Sequence, residues 1–358
     1  MTFPSPTAAP PPTETGSVLF FQLKHIGDFL MTLPALGLWR QTRPHDRLGL
    51  AAAPAVAELA RRHPWVDEVY IVDRAKSWRE NFRLARAIAR EQYGQALIFD
   101  GQTRSIVTAA LAGIPQRLGA SGLYALGQAS PLFTRDIDLG RDLRLASQAW
   151  RSQKMAALAL GREPGPPLRP IAPTLAPEHY AQADRLIAEL EGDGPVIGLT
   201  LAGRQPEKSW PLASFAELAR RLFTEKRARL FVTGGPAESA AAQALAQAAR
   251  VPVADFCGRT DLMAVIALAE RSRLFITIDT GTSHLAALTE TPLISLFIWT
   301  SPAQWPPPSP HARLLCYDWA LKRFGLRPGE GSWKSAPIIT PDIVFDEAAA
   351  ILEHQRRA

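Results

Sequence analysis

The stretch LFITIDTGTSHLAAL, Leu274 to Leu288, decides how this chain folds. Leu274, Phe275, Ile276 and Ile278 make a short apolar run, the pattern of a strand buried on both faces in a parallel sheet. Asp279-Thr280-Gly281-Thr282-Ser283 breaks that run, and His284 to Leu288 reads as a helix. Gly281 permits backbone angles that other residues avoid, and Thr and Ser are good helix N-caps. A strand, a small-residue turn and a helix start bring free N–H groups and a positive dipole end to one point, which suits an anion. An ordinary strand-to-helix turn has the same local pattern, so the neighbouring elements must decide.

Those neighbours repeat the alternation. Val196 to Thr200, Arg229 to Thr233 and Leu293 to Ile298 read as strands, each with a helical pattern nearby in sequence. The loops after Thr200, Thr233, Asp279 and Ile298 all fall at strand carboxyl ends, where ligands bind in such sheets. Lys208, Glu238, Thr280, Gly281 and His284 would then line one crevice.

The first half alternates in the same way. Val18 to Leu23, Arg47 to Ala53, Val69 to Val72 and Ala96 to Phe99 read as strands. The first ends at Lys24-His25-Ile26-Gly27-Asp28, and the fourth at Asp100-Gly101-Gln102. Helical patterns follow, with Pro34 tolerated early in the first of them. The segment 161–177 holds six prolines and two glycines, the composition of a linker. The fold class is therefore α/β, with two doubly wound parallel-sheet domains. The divisions expected are a disordered tail over 1–17, an N-terminal domain over 18–163, a linker over 164–177, a C-terminal domain over 178–340, and a closing helix over 341–358 that packs back on the N-terminal domain.

Length supports this division, since 358 residues suit about two domains. With 47% apolar and 21% charged residues the composition is that of a soluble globular protein. Cys257 and Cys316 make neither a disulfide framework nor a metal cage, which points to a reducing cytoplasm. The N-terminus lacks a signal-peptide pattern, and no apolar run is long enough to span a bilayer. Residues 1–170 carry a net charge of +7 and residues 171–358 a net −1, within the total of +6. The excess is mostly arginine, namely Arg40, Arg43, Arg47, Arg61, Arg62, Arg74, Arg79, Arg83, Arg86 and Arg90; together they suit an anionic partner, either a phosphorylated molecule or a membrane surface, while taken singly most read as a solvated helical face. Trp39, Trp65 and Trp78 read as core or interface residues.

The chemistry follows from residue types. Lys208 and the Asp279–His284 helix start would hold a diphosphate. Glu238 suits a ribose hydroxyl or a base edge. Asp28, beside Gly27 at a strand end, is a candidate general base if the two halves face each other across a cleft. A Walker A motif and a G-x-G-x-x-G fingerprint are both missing, which disfavours P-loop enzymes and ordinary dinucleotide dehydrogenases.

QLKHIGDFLMTLPAL (Gln22–Leu36), KSWP (Lys208–Pro211) and DTGTSHLAA (Asp279–Ala287) resemble the signature blocks of glycosyltransferase family 9. HPWVDEVY, FDGQTRS, TGGPAE, GRTDL and TSPAQWPP match in the same order, so the likeness covers about residues 18 to 353. The resemblance implies a GT-B fold, two Rossmann-like domains facing across a cleft. It implies inverting sugar transfer, with heptose from ADP-heptose going to a lipopolysaccharide core or related phosphorylated, lipid-linked glycan. Alternatives are another nucleotide sugar or a non-catalytic nucleotide-sugar-binding protein. It assigns Asp28 as catalytic base, and Lys208, Glu238, Asp279, Thr280, Gly281 and His284 to donor binding. Arg104 and Gly27 go to the acceptor side. No metal, cofactor or nucleic acid is implied, and the expected location is cytoplasmic, peripheral on the inner membrane. Gly203 and the Pro-rich segment from Trp305 to Pro310 depart from the family pattern near the donor pocket.

Overall fold

The computed structural model describes residues 16–73, 75–120, 131–140, 146–201, 203, 208–316 and 339–357. The tail expected over 1–17 lies outside them up to residue 15, as do Ala202 and residues 204–207 of the loop before Lys208. The chain divides into two compact units between Thr174 and Leu175.

The first unit is a six-stranded parallel sheet of β1 (Ser17–Gln22), β2 (Arg47–Ala52), β3 (Glu68–Ile71), β4 (Gln95–Ile98), β5 (Gln116–Gly119) and β6 (Arg135–Asp136). Its order is β3-β2-β1-β4-β5-β6. Phe21 of β1 pairs with Ala51 on one side and Ile98 on the other, which puts β1 at the centre. The helices are α1 (Ile26–Leu30), α2 (Leu33–Thr42), α3 (Ala57–Arg61), α4 (Trp78–Arg90), α5 (Thr103–Leu111) and α6 (Gln148–Ala159). Trp39 of α2 is buried edge-on to Phe20, and its indole N–H donates to Asp46 at 3.1 Å. The ring thus reaches the core without stranding its one polar atom.

The second unit repeats the plan with β7 (Val196–Leu199), β8 (Arg229–Val232), β9 (Val253–Asp255), β10 (Leu274–Ile278), β11 (Leu293–Phe297) and β12 (Ala312–Cys316), in the order β12-β11-β10-β7-β8-β9. All six are parallel. Gly198 in β7 is there for space: a Cβ would lie 2.5 Å from the Phe275 ring and 2.8 Å from that of Phe231. The helices are α7 (Pro177–Ala188), α8 (Leu212–Lys226), α9 (Ser239–Ala249), α10 (Leu262–Glu270), α11 (Gly281–Ala286) and α12 (Pro341–Arg357). The closing helix α12 packs on α8 and puts Val344, Phe345, Ala348, Ile351 and Leu352 into the second unit's core. The helix belongs to the second compact unit. Among the described residues no helix is long and apolar enough to cross a membrane.

Candidate active site

In each sheet the strand order reverses once, between β1 and β4 in the first unit and between β7 and β10 in the second. At such a reversal the loops leave in opposite directions and open a crevice at the strand carboxyl ends. Both clusters of candidate residues sit there.

In the second unit the loop after β7 carries Lys208, and the turn after β10 carries Asp279. Lys208 Nζ donates to Asp279 Oδ2 at 2.7 Å. Thr300, just past β11, donates to the same oxygen at 2.5 Å. One carboxylate therefore ties three loops together. The Asp279 side chain is nearly buried and the Lys208 side chain is about one-fifth exposed. Its position is fixed by a charge-assisted hydrogen bond instead of by packing.

His284 lies one turn into α11, with Nε2 3.9 Å from Asp279 Oδ1. Burial is the main force on it and lowers its pKa to about 4, with Lys208 pushing the same way and Asp279 opposing. The imidazole is neutral at neutral pH and adds no positive charge. Thr200 Oγ1 and His284 Nδ1 are buried without a hydrogen-bond partner among the described residues. Thr280, Gly281 and Thr282 are partly exposed and form the rim. The Thr280 side chain does not cap α11, so the first-turn N–H groups have no acceptor from within the helix. At six residues α11 carries a weak dipole; what an anion meets here is the Lys208 ammonium and separate N–H groups. Gly203 also has a steric reason: a Cβ there would come within 2.8 Å of the Thr280 methyl.

Glu238 closes a 3-10 turn, Pro236–Glu238, at the carboxyl end of β8. Among the described residues its carboxylate has no hydrogen bond or ion pair, and it is not joined to the Lys208 cluster. Nearby Cys257 is pushed up to about 12 by burial, with Asp255 and Glu238 adding to the effect, so its thiol is inert.

In the first unit Gly27 and Asp28 fall inside α1, where the sequence suggested the tail of a strand-end loop. Asp28 sits in the first turn and accepts from His25 N–H at 3.3 Å. Its main-chain carbonyl accepts from Thr32 Oγ1 at 2.9 Å, and Gln22 Nε2 donates to that hydroxyl at 3.0 Å. The turn after β1 is thus held from both sides.

Asp100, at the end of β4, fixes the same turn from beneath. Fully buried, it accepts from Leu23 N–H at 2.7 Å, Ser105 Oγ at 2.8 Å and Gln102 N–H at 2.9 Å. Burial raises its pKa to about 6 against these bonds. Arg104, on α5, is turned elsewhere. It donates to Lys76 O at 3.2 Å, stacks 4.7 Å over Trp78, and lines a cavity of about 300 Å³ with Lys76, Glu80 and Asn81. Thr300 and Asp100 were not among the expected site residues; their place at the ends of β11 and β4 was the available signal.

Residues 81–325 match the family described as "Glycosyltransferase family 9 (heptosyltransferase)". Lipooligosaccharide heptosyltransferase 2 of Haemophilus influenzae is 29% identical over 289 residues, 76% of this chain and 80% of that protein. Lipopolysaccharide heptosyltransferase 2 of Escherichia coli is 25% identical over 349 residues, 91% of this chain and 96% of that protein. The solved structure of E. coli ADP-heptose lps heptosyltransferase II superposes with a TM-score of 0.78 at 23% identity, covering 95% of this chain and 99% of that one. That likeness shows the fold.

Proposed function

The chain belongs to glycosyltransferase family 9, and we propose that it transfers heptose from ADP-heptose to a phosphorylated, lipid-linked glycan of the lipopolysaccharide-core type. The names of the relatives support the donor and acceptor class. The observation that carries the reading is the partly buried lysine held by Asp279 at the β7–β10 reversal.

In this reading the second unit holds the donor. Lys208 meets the diphosphate, with the N–H groups of Gly281 and Thr282 beside it. Asp279 and Thr300 act through Lys208 by setting its direction. Neutral, buried His284 supports the floor of the turn, and Glu238 takes a ribose hydroxyl.

Asp28 of the first unit takes the proton of the acceptor hydroxyl. The freed oxygen attacks the anomeric carbon as the bond to the diphosphate oxygen breaks, inverting the configuration. The charge arriving on the leaving phosphate is met by the Lys208 ammonium, an electrostatic role suited to a fixed cation. Asp100 and Gln22 keep Asp28 in place. Gly27 beside Asp28, and Arg104 from the cavity that it lines with Lys76, serve the acceptor, and the protein works on the cytoplasmic face of the membrane that carries it.

A calorimetric screen of ADP-, UDP- and GDP-heptose against the purified protein tests the donor. Selective binding of the ADP sugar is expected. Equal affinity for all three, or preference for another nucleoside, would contradict it.

A further inference from the structure

Helix α4 has three faces. Asn81, Ala85 and Ile88 are buried against the sheet, and Leu84 is half-buried beside them. Next round the helix come Trp78 and Phe82, 45% and 50% exposed, with exposed Ala89 in the same stripe. At about 100° per residue, these three fall within an arc of roughly 40°, and Arg86, Arg79, Arg90 and Arg83 fill the next arc of roughly 60°. All four arginines are exposed, and none makes a side-chain hydrogen bond or ion pair among the described residues.

This pattern is not that of an ordinary solvated face. Two large rings one turn apart are each about half exposed, which forfeits part of the gain of burial. Four unpaired guanidinium groups border them on one side. Aromatic rings at the depth of lipid headgroups, with arginines reaching the phosphates, is how an interfacial helix lies on an anionic bilayer. Arginine suits this role because its fork matches phosphate oxygens and is weakly hydrated. A protein interface also uses aromatics and arginines; the bilayer is favoured because four arginines border the aromatic stripe with no acidic residue in the arc.

We propose that α4 is the membrane-docking helix of this chain, laying Trp78 and Phe82 into the headgroup layer of an anionic bilayer while Arg79, Arg83, Arg86 and Arg90 bind lipid phosphates. Its position adds a consequence. Trp78 stacks with Arg104, and Arg104 and Lys76 line the cavity that opens at the start of α4. Docking through α4 brings that cavity to the lipid surface, which is where a lipid-linked acceptor presents its glycan. This consequence rests on the functional reading above; the docking itself does not.

The experiment is co-sedimentation of the full chain with phosphatidylcholine vesicles with and without phosphatidylglycerol. Binding to the anionic vesicles only, weakened by salt, is expected. The combined variant Arg83→Gln, Arg86→Gln, Arg90→Gln should reduce it by at least about tenfold, and Phe82→Ser by a smaller factor that salt does not change. Arg83→Glu alone, a milder change to the surface, should weaken binding in the same direction, and each variant's thermal melt serves as the folding control. Equal binding of variants and parent, or no binding to anionic vesicles, would overturn the proposal. No donor, acceptor or turnover enters the readout, so a failed transferase assay would count against the functional reading and leave this one standing.

Discussion

Lys208 Nζ lies 2.7 Å from Asp279 Oδ2, although the two residues are 71 positions apart in sequence. They meet because β7 and β10 are neighbours, so the sheet itself places a cation at the point where the strand order reverses. An exposed lysine would spend most of its time in other rotamers. This one is held toward Asp279, to whose carboxylate and main-chain carbonyl it donates.

Replacing Lys208 by Ala should weaken ADP binding by roughly 10- to 100-fold, the usual worth of a charge-assisted hydrogen bond to phosphate. Calorimetry with ADP measures it, and unchanged affinity would remove Lys208 from the site.

Asp279→Ala should cost stability as well as affinity. It leaves a partly buried ammonium and the Thr300 hydroxyl without their shared acceptor, a loss of about 2 kcal/mol after allowance for the partial exposure of the lysine. Urea unfolding gives the number. Asp279→Asn keeps an acceptor in place and should lose less stability than Asp279→Ala while still weakening ADP binding.

Asp100→Asn tests the support of the other unit. The amide puts an N–H donor either where Oδ2 accepts from both Leu23 and Ser105 or where Oδ1 accepts from Gln102. The variant should transfer sugar at least about tenfold more slowly, from misplacement of the turn carrying Asp28. Its ADP affinity should stay unchanged, since the donor residues belong to the second unit. Equal loss of ADP affinity would show that the effect is general unfolding.

The buried histidines predict an acid-side loss of stability. His284 and His63 both have folded pKa values near 4, depressed by burial from 6.5. Between these values the unfolded chain binds the protons, so stability from each is complete above about pH 6.5 and lost as pH falls toward 4, up to about 3 kcal/mol per histidine. Asp100 acts in the opposite sense. Its raised pKa, about 6 against 3.8, adds stability at low pH that disappears as pH rises through that window. Two histidines against one aspartate leave a net loss on acidification. Melts from pH 7 to about 4.5 should show it, and His284→Leu should flatten the slope. An unchanged slope in that variant would contradict the neutral, buried state of His284.

Much of the frame was readable in the chain. The runs LFITI and LISLF are apolar at every position but one, because β10 and β11 are covered on both faces. What escaped has physical reasons. β5, QRLG, has an exposed and a half-exposed residue before two buried ones, and β6 is the exposed pair Arg135-Asp136 at the sheet edge, so neither shows an apolar run. The helix α1 begins before Gly27, and glycine in a helix reads as a turn. Lys208 and Asp279 were each recognisable, but their contact depends on strand order, which chain order does not state. The burial of His284 and the part played by Thr300 follow from the same neighbourhood.

The central claim is that Asp28 takes the acceptor proton while Lys208 and its partners hold the donor. The most direct measurement is heptose transfer by Asp28→Asn, with ADP-heptose affinity determined on the same preparation. The account predicts that transfer falls by at least about 10³-fold while donor affinity stays within a few fold of the parent. Near-normal turnover by Asp28→Asn would contradict it.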